Sequence, residues 1–222
     1  MKILNWNIER LKRPAFKEAV LAIIDSYDAD IIVLTETSAQ INPGNSYNSV
    51  QTFALSSFHD GIKYKEGENR VTLFSKYPII QTHKTYDDYT SVCADVATTL
   101  GPLRIYATIT GVFGGIGERF KQDILGQMSD FKTLLYDCPT CIIGDLNTTF
   151  SGYTYPSHAA RNTLIDYFDK KKMTNITAPI ADNVDHIILS IDYLGSAKIL
   201  TSVFNEGKKL SDHIGICVEI DF

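Results

Sequence analysis

Cys141-Ile142-Ile143-Gly144-Asp145-Leu146-Asn147 is a short apolar run that stops at a glycine and releases an acid and an amide two residues apart. Outward from it, the same arrangement recurs. The strand-like run Lys2 to Asn7 ends on Asn7, and Ile31-Ile32-Val33-Leu34-Thr35 is followed by Glu36. The latter run is too short and too β-branched for anything but a buried strand. Asp185 stands at the start of Val184–Leu189, and Asp212-His213 immediately precedes Ile214–Ile220. If these last two strands run antiparallel to the earlier ones, all the polar groups gather at one edge of the sheets. Acids placed together are costly unless compensated, and a hard divalent cation with oxygen ligands would compensate them. Mg²⁺ or Mn²⁺ suits such a donor set, whereas zinc favours His and Cys. Any one of these acids, taken alone, reads as a cap or turn residue; the joint pattern is what carries weight.

The rest of the chain reads as many strands and about three helices. Phe16, Val20, Ile23, Ile24 and Tyr27 fall at helical spacing over Pro14–Tyr27, with Pro14 suited to a first turn. A second helix is expected from Glu118 to Tyr136, with Phe120, Ile124, Met128, Phe131 and Leu135 on its apolar face, and a third from His158 to Lys171. Further strands are expected at Val71–Phe74, Ser91–Thr99, Leu103–Ile109 and Lys198–Val203; Leu100-Gly101-Pro102 closes a hairpin between two of them. Residues 37–68, rich in Asn, Ser, Gly and Asp, read as a long loop with little regular structure. There is no repeat, low-complexity tract or linker, so one domain over residues 1–222 is expected, with helices outside sheets.

Composition bounds the function. The 222 residues include 26 acidic and 21 basic ones, a formal net charge of -5. Proteins that hold long duplexes through phosphates are usually basic on at least one face, so this balance argues against tight, non-specific DNA binding. Arg10-Leu11-Lys12-Arg13, Lys170-Lys171-Lys172 and Lys208-Lys209 are the basic clusters, each readable as a solvated helix end or turn. Cys138-Pro139-Thr140-Cys141 has the spacing of a redox or zinc motif, but it precedes an apolar strand and has no second ligand pair. Reduced, structural thiols are expected. No apolar run approaches a membrane span and the N-terminus does not read as a signal peptide, so a soluble, cytoplasmic protein without an obligate protein partner is expected.

Five ordered segments resemble the motifs of the endonuclease/exonuclease/phosphatase superfamily. They are Asn5-Trp6-Asn7-Ile8-Glu9, Leu34-Thr35-Glu36-Thr37, Gly144-Asp145-Leu146-Asn147, Val184-Asp185-His186-Ile187-Ile188-Leu189-Ser190 and Ser211-Asp212-His213. Val71 to Ile79 also resembles a structural strand and turn of these proteins, which include exonuclease III-type and DNase I-like nucleases, deadenylases, sphingomyelinases and inositol polyphosphate phosphatases. The resemblance implies an α+β fold: a four-layer α/β/β/α sandwich of two packed mixed sheets flanked by helices.

It also implies roles. Glu36 would be the principal metal-binding carboxylate, with Asn7 and Asp212 beside it and Mg²⁺ (or Mn²⁺) as the cofactor. Asp145 would position and activate the attacking water, and Asn147 would orient phosphate or water on the same face if the chain stays extended. His213 would hold a non-bridging phosphate oxygen, with Asp185 fixing its tautomer. Arg119 resembles a basic residue that could reach a phosphate, and Arg70 is a similar candidate; each also reads as a structural charge. Thr108 stands where many members carry a His or Tyr against the scissile phosphate, and it cannot be a cation. His186 should face away from Asp185, as a packed or surface residue. Phe150, Tyr153 and Tyr155 could stack on a base or pack over the following helix. A nuclease is the leading expectation, acting on nucleic acid or another phosphodiester. A phosphatase or phosphodiesterase of small or lipid-headgroup substrates and a non-catalytic binding module are the alternatives.

Overall fold

The computed structural model describes residues 1–222. In chain order the strands are β1 (Lys2–Asn7), β2 (Ile31–Ser38), β3 (Asn48–Gln51), β4 (Phe58–His59), β5 (Ile62–Lys63), β6 (Glu68–Ser75), β7 (Ile79–His83), β8 (Ser91–Thr98), β9 (Gly101–Ile109), β10 (Thr140–Asp145), β11 (Met173–Asn175), β12 (Asp185–Ser190), β13 (Lys198–Phe204) and β14 (Gly215–Asp221). The helices are α1 (Lys17–Tyr27), α2 (Gly117–Leu134), α3 (His158–Lys170) and the single turn α4 (Ile191–Leu194). One six-stranded sheet runs β13-β14-β1-β2-β6-β3, and the other runs β11-β12-β10-β9-β8-β7. Each is mixed, because β1 pairs β2 in parallel and β10 pairs β9 in parallel.

Alternation along the strands builds the layers. Ile3, Ile31, Val33 and Ile216 of the first sheet meet Ile105, Ile143, Ile187 and Leu189 of the second in one continuous core. The opposite face of the first sheet, Leu4, Trp6, Ile32 and Leu34, is covered by Val20 and Ile24 of α1. The opposite face of the second, Tyr106, Ile142 and Ile188, is covered by Phe131 of α2 and by Leu164, Tyr167 and Phe168 of α3. The result is the four-layer α/β/β/α sandwich. Ile31–Leu34 is apolar without a break because it is buried on both faces.

Several expectations needed correction. Residues 37–68 are not irregular throughout: β3 adds to the sheet edge against β6, and β4 with β5 makes a small hairpin. β7, an edge strand paired with β8, lacks an alternating pattern because it is largely exposed. The buried face of α2 is also not the apolar stripe. Phe120 and Phe131 are buried, but so are Asp123, Gln127 and Asp130. These polar groups serve the end of β9 and the loop beside it. Asp123 accepts from Gly111 N, Gln127 bonds Thr108 and Thr110, and Asp130 accepts from Tyr86 N and Tyr106 Oη. Leaving those buried donors unpaired would cost more than an apolar face gains.

Gly144 leaves no room for a side chain against β9. Its φ is 136°, and a Cβ added there would lie 1.9 Å from the Thr108 carbonyl oxygen. Gly144→Ala is therefore expected to destabilise the protein by on the order of 3 kcal/mol or more, read as a lowered denaturant midpoint. A loss below about 1 kcal/mol would show that β9 and β10 separate readily here.

Candidate active site

The strand ends deliver the polar groups to one place. On β1 the period of two puts Ile3, Asn5 and Asn7 on the inner face, between the sheets. Asn7 Nδ2 donates to Asp145 Oδ2 at 3.1 Å and lies 3.5 Å from Glu36 Oε1. Glu36 would point outward by the alternation of Ile32 and Leu34, but its φ of 44° breaks the pleat and returns the side chain to Asn7. In the antiparallel pairing of β10 with β12, Asp145 sits directly opposite Asp185. Two carboxylates in that register repel each other. His213 compensates, its Nδ1 lying 2.6 Å from Asp185 Oδ2. One oxygen or nitrogen of each of Asp145, Asp185 and His213 lies within 4.8 Å of those of the other two.

His213 is held from behind. Ser211 Oγ donates to Asn7 O at 2.6 Å and receives His213 N at 3.2 Å. Asn205 Nδ2 donates to the carbonyls of Ser211 and His213. Across the sheets, Asn5 Nδ2 donates to Gly144 O and His186 O, the carbonyls next to Asp145 and Asp185. Sequence reading missed these supporting residues. Ser211 and Asn5 at least lie inside the quoted motifs, whereas nothing local marks Asn205.

The electrostatics follow from burial and charge. Burial pushes Asp145 up to about 7, and the Asp185 charge adds to it. Burial also raises Glu36 above the ordinary carboxylate range, against the opposing charge of His213. Burial would lower His213, but the Asp185 charge and hydrogen bond, aided by Asp145 and Asp212, hold it up at about 10. The charges around His213 thus favour its imidazolium form, with Nε2 turned from Asp185.

Other expected residues lie elsewhere or in altered roles. Thr108 is fully buried, and its hydroxyl bonds Ser91, Gln127 and the Thr90 carbonyl under α2. Alternation on β9 sends Thr108 to the helix side while Ile109 faces the inner core, so it does not line the acid cluster. Arg119 is enclosed by Asp60, Asp87 and Asp123, at 3.1, 2.6 and 3.0 Å. It ties α2 to two loops, with all three of its nitrogens already donating to carboxylates. The chain does not stay extended past Asp145: Asn147 has a φ of 45°, its N–H caps Asp145 Oδ1, and its Nδ2 donates to the Thr110 and Gly111 carbonyls. Only Asn147 Oδ1, an acceptor, is left to serve the site, which suits a water and not a phosphate oxygen. Asp212 is 64 % exposed, with Oδ1 3.8 Å from His213 Nε2. It stands at the rim of the site.

His186 is packed, as expected, against Phe150, with both ring nitrogens engaged; burial pushes it down to about 4. Phe150 packs there, Tyr155 Oη accepts from Gly115 N, and only Tyr153 of the three aromatics stands out into solvent. The four cysteines are free, and Cys141 is wholly buried with a thiol raised by burial. Arg10, read as solvated, instead turns inward, its Nε 3.8 Å from Glu36 Oε2.

The donors fit a hard divalent cation. Glu36, Asp145 and Asp185 offer oxygens only, and Asp185 Oδ1 is buried without any partner. Asn7 is partly committed: its Nδ2 bridges the acids and its Oδ1 accepts from Glu9 N, which leaves one lone pair of that oxygen. No helix is long and apolar enough to cross a membrane.

Comparison with known proteins agrees with this fold. The 3′-5′ exonuclease NExo of Neisseria meningitidis superposes with a TM-score of 0.74 at 16% identity, covering 100% of both chains. A Neisseria 3′ phosphatase, NExo bound to a product DNA hairpin, gives 0.73 at 16% identity, again over 100% of both chains. An AP endonuclease of Archaeoglobus fulgidus gives 0.71 at 12% identity, with the same coverage. No curated protein sequence matches significantly. At such identities the superpositions establish the fold alone. The sequence profile described as the Endonuclease/Exonuclease/phosphatase family, however, matches residues 4–213, from the first inner-face strand to the histidine that faces Asp185. The chain belongs to that family.

Proposed function

We propose that this chain is a divalent-metal-dependent hydrolase of phosphodiester bonds and that it acts as a nuclease. The observation that carries the reading is the opposition of Asp145 and Asp185 across β10 and β12, with His213 Nδ1 2.6 Å from Asp185 and within 4.8 Å of both acids. Such an arrangement is costly for a fold and useful for a phosphate. Phosphoryl transfer depends on positioning and on stabilising charge. Asp145 accepts the proton of the attacking water and aims it in line, with Asn147 Oδ1 available as a second acceptor. His213 Nε2 donates to a non-bridging oxygen while Asp185 keeps the ring charged and oriented. Asn7 holds Asp145 and Glu36 together. Mg²⁺ or Mn²⁺ held by Glu36, and by the acids facing it, supplies neutralisation of the phosphoryl oxygens when bound.

Metal binding is testable without turnover. Millimolar Mg²⁺ or Mn²⁺ is expected to raise the melting temperature of the natural protein by a few degrees, through roughly 1–3 kcal/mol of linkage. Glu36→Gln should lose most of that shift. Equal shifts in both proteins would remove Glu36 from the site.

The activity itself is tested with single-stranded and duplex DNA, abasic duplex, RNA, and aryl phosphate mono- and diesters, with Asp145→Ala and His213→Ala as controls. Cleavage of a polynucleotide that both substitutions abolish supports the nuclease. The net charge of -5 favours a second reading, a small phosphoester substrate, and cleavage of the aryl esters alone would select it. Metal binding without turnover of any substrate would overturn the nuclease reading.

A further inference from the structure

Beside the acid cluster lies a pocket of about 200 Å³ lined by Arg10, Lys12, Glu36, Tyr64 and Arg70 among others. Glu36 separates the two. Its Oε1 faces Asn7, which reaches Asp145, and its Oε2 faces Arg10. The pocket is therefore on the far side of Glu36 from the base. Three of the residues named carry positive charge and one carries negative.

Two features are unexplained by folding alone. Arg70 is 1 % exposed, and its Nη2 donates to Asp60 Oδ2 at 2.8 Å, yet Nε and Nη1 are buried without a partner. Unmet donors on a buried guanidinium are costly and ask for an acceptor. Glu9, Arg10 and Leu11 are consecutive left-handed residues, with φ of 50°, 54° and 48°. That conformation is unfavourable for each of them. Its effect is to fold Arg10 over the Tyr64 ring, 5.1 Å from the centroid, and the Arg70 guanidinium lies 6.0 Å from the same centroid. Arg10 Nη1 is spent on the Lys63 carbonyl, and its carboxylate neighbours, Glu36 and Glu68, stay at 3.8 and 3.7 Å, longer than hydrogen bonds. Lys12 does pair closely, with Glu9 at 2.6 Å.

We propose that this pocket is a subsite for a second phosphate, carried by the substrate across one sugar from the reacting one. The inference rests on the phosphodiester-hydrolase reading and deepens it: the preferred substrate is a nucleotide ester bearing at least two phosphates. Planar guanidinium forks match phosphate oxygens, and the enclosed volume admits a phosphate group but not a base pair. A terminal phosphate and one inside a strand share this chemistry.

The test uses p-nitrophenyl esters of thymidine 5′-phosphate and thymidine 3′-phosphate, each with and without a phosphate on the other hydroxyl. A third form of each has that second phosphate esterified by a further nucleoside. The natural protein is expected to favour the two-phosphate esters in kcat/KM by on the order of ten- to hundredfold. Arg10→Gln and Lys12→Gln should shrink that ratio severalfold, and Arg70→Gln should abolish it. Because Arg70→Gln also breaks the Asp60 pair, the other two variants decide the matter if it does not fold. Preference for the terminal or the extended ester supports the subsite in either case and names the source of the phosphate. Calorimetric titration of thymidine 3′,5′-bisphosphate against both monophosphates reads the same preference without turnover. Binding preference without hydrolysis would sink the hydrolase reading and keep the subsite. No preference for the second phosphate, or one that all three substitutions leave intact, overturns the subsite.

Discussion

Asp145→Asn is expected to lower turnover on any accepted phosphodiester by on the order of 10²–10⁴-fold while making the metal-free protein more stable above neutral pH. Both effects have one cause. Asp145 is buried opposite Asp185, and that environment raises it from an ordinary 3.8 to about 7. The fold thus prefers the protonated acid. Its contribution is fully present below the unfolded-state value and is lost as pH rises through about 7. At about pH 8 the natural protein holds a desolvated carboxylate that Asn does not carry. The variant should be more stable there by about 1–3 kcal/mol, since the shift is offset in part by a poorer match of the amide to Asn7 and Asn147. Near pH 4 the advantage should vanish. Thermal unfolding in EDTA at the two pH values checks this. A variant less stable than the natural protein at pH 8 would mean that the two acids are compensated without a cation.

Replacing His213 by Ala should cost on the order of 10²–10³ in kcat, the usual effect of removing one preorganised donor to transition-state charge. A double variant with Asp185→Asn that is no slower than His213→Ala alone would mean that Asp185 acts through His213, and a further loss would assign its free Oδ1 to the cation as well. The single Asp185→Asn variant is more informative. His213 is held at about 10 chiefly because the Asp185 charge and hydrogen bond outweigh its burial. Without that carboxylate the imidazolium loses its proton nearer the ordinary histidine range, about 6.5. The alkaline limb of the pH–rate profile should therefore move from near 10 toward neutrality, narrowing the active range from its alkaline side. A uniform drop across the whole pH range would show that Asp185 only supports the local fold.

Strand ends are legible in the sequence because their signal is local. In Cys141–Asn147 a β-branched run stops at Gly144, and the acid beyond it can leave the core only at the sheet edge. The same holds for Asn7, Glu36, Asp185 and His213, whose neighbours in sequence are their neighbours in the strand. The expectations that failed did so for non-local reasons. Thr108 reads as available because it occupies a strand that ends at the site, but the pleat sends its hydroxyl to Gln127 of α2. Arg119 reads equally as a phosphate contact or a structural charge, and sequence leaves this open because its three carboxylates come from the hairpin loop, the segment before β8 and the next turn of α2. Arg10 reads as solvated because an ordinary backbone would expose it; three left-handed residues turn it onto Tyr64 instead.

By itself, then, the order of apolar runs and terminal acids determined a many-stranded domain with helices outside its sheets and the polar groups gathered at one edge, while the two-sheet sandwich came from the resemblance of the five motifs. Periodicity and burial act on adjacent residues, and a linear pattern records them. The tertiary structure alone decided which charges are already neutralised, which donors remain unmet at Arg70, and that Asn147 offers an acceptor and not a donor. Those outcomes depend on partners distant in the chain, because the free energy of a buried polar group is set by what faces it and not by what precedes it.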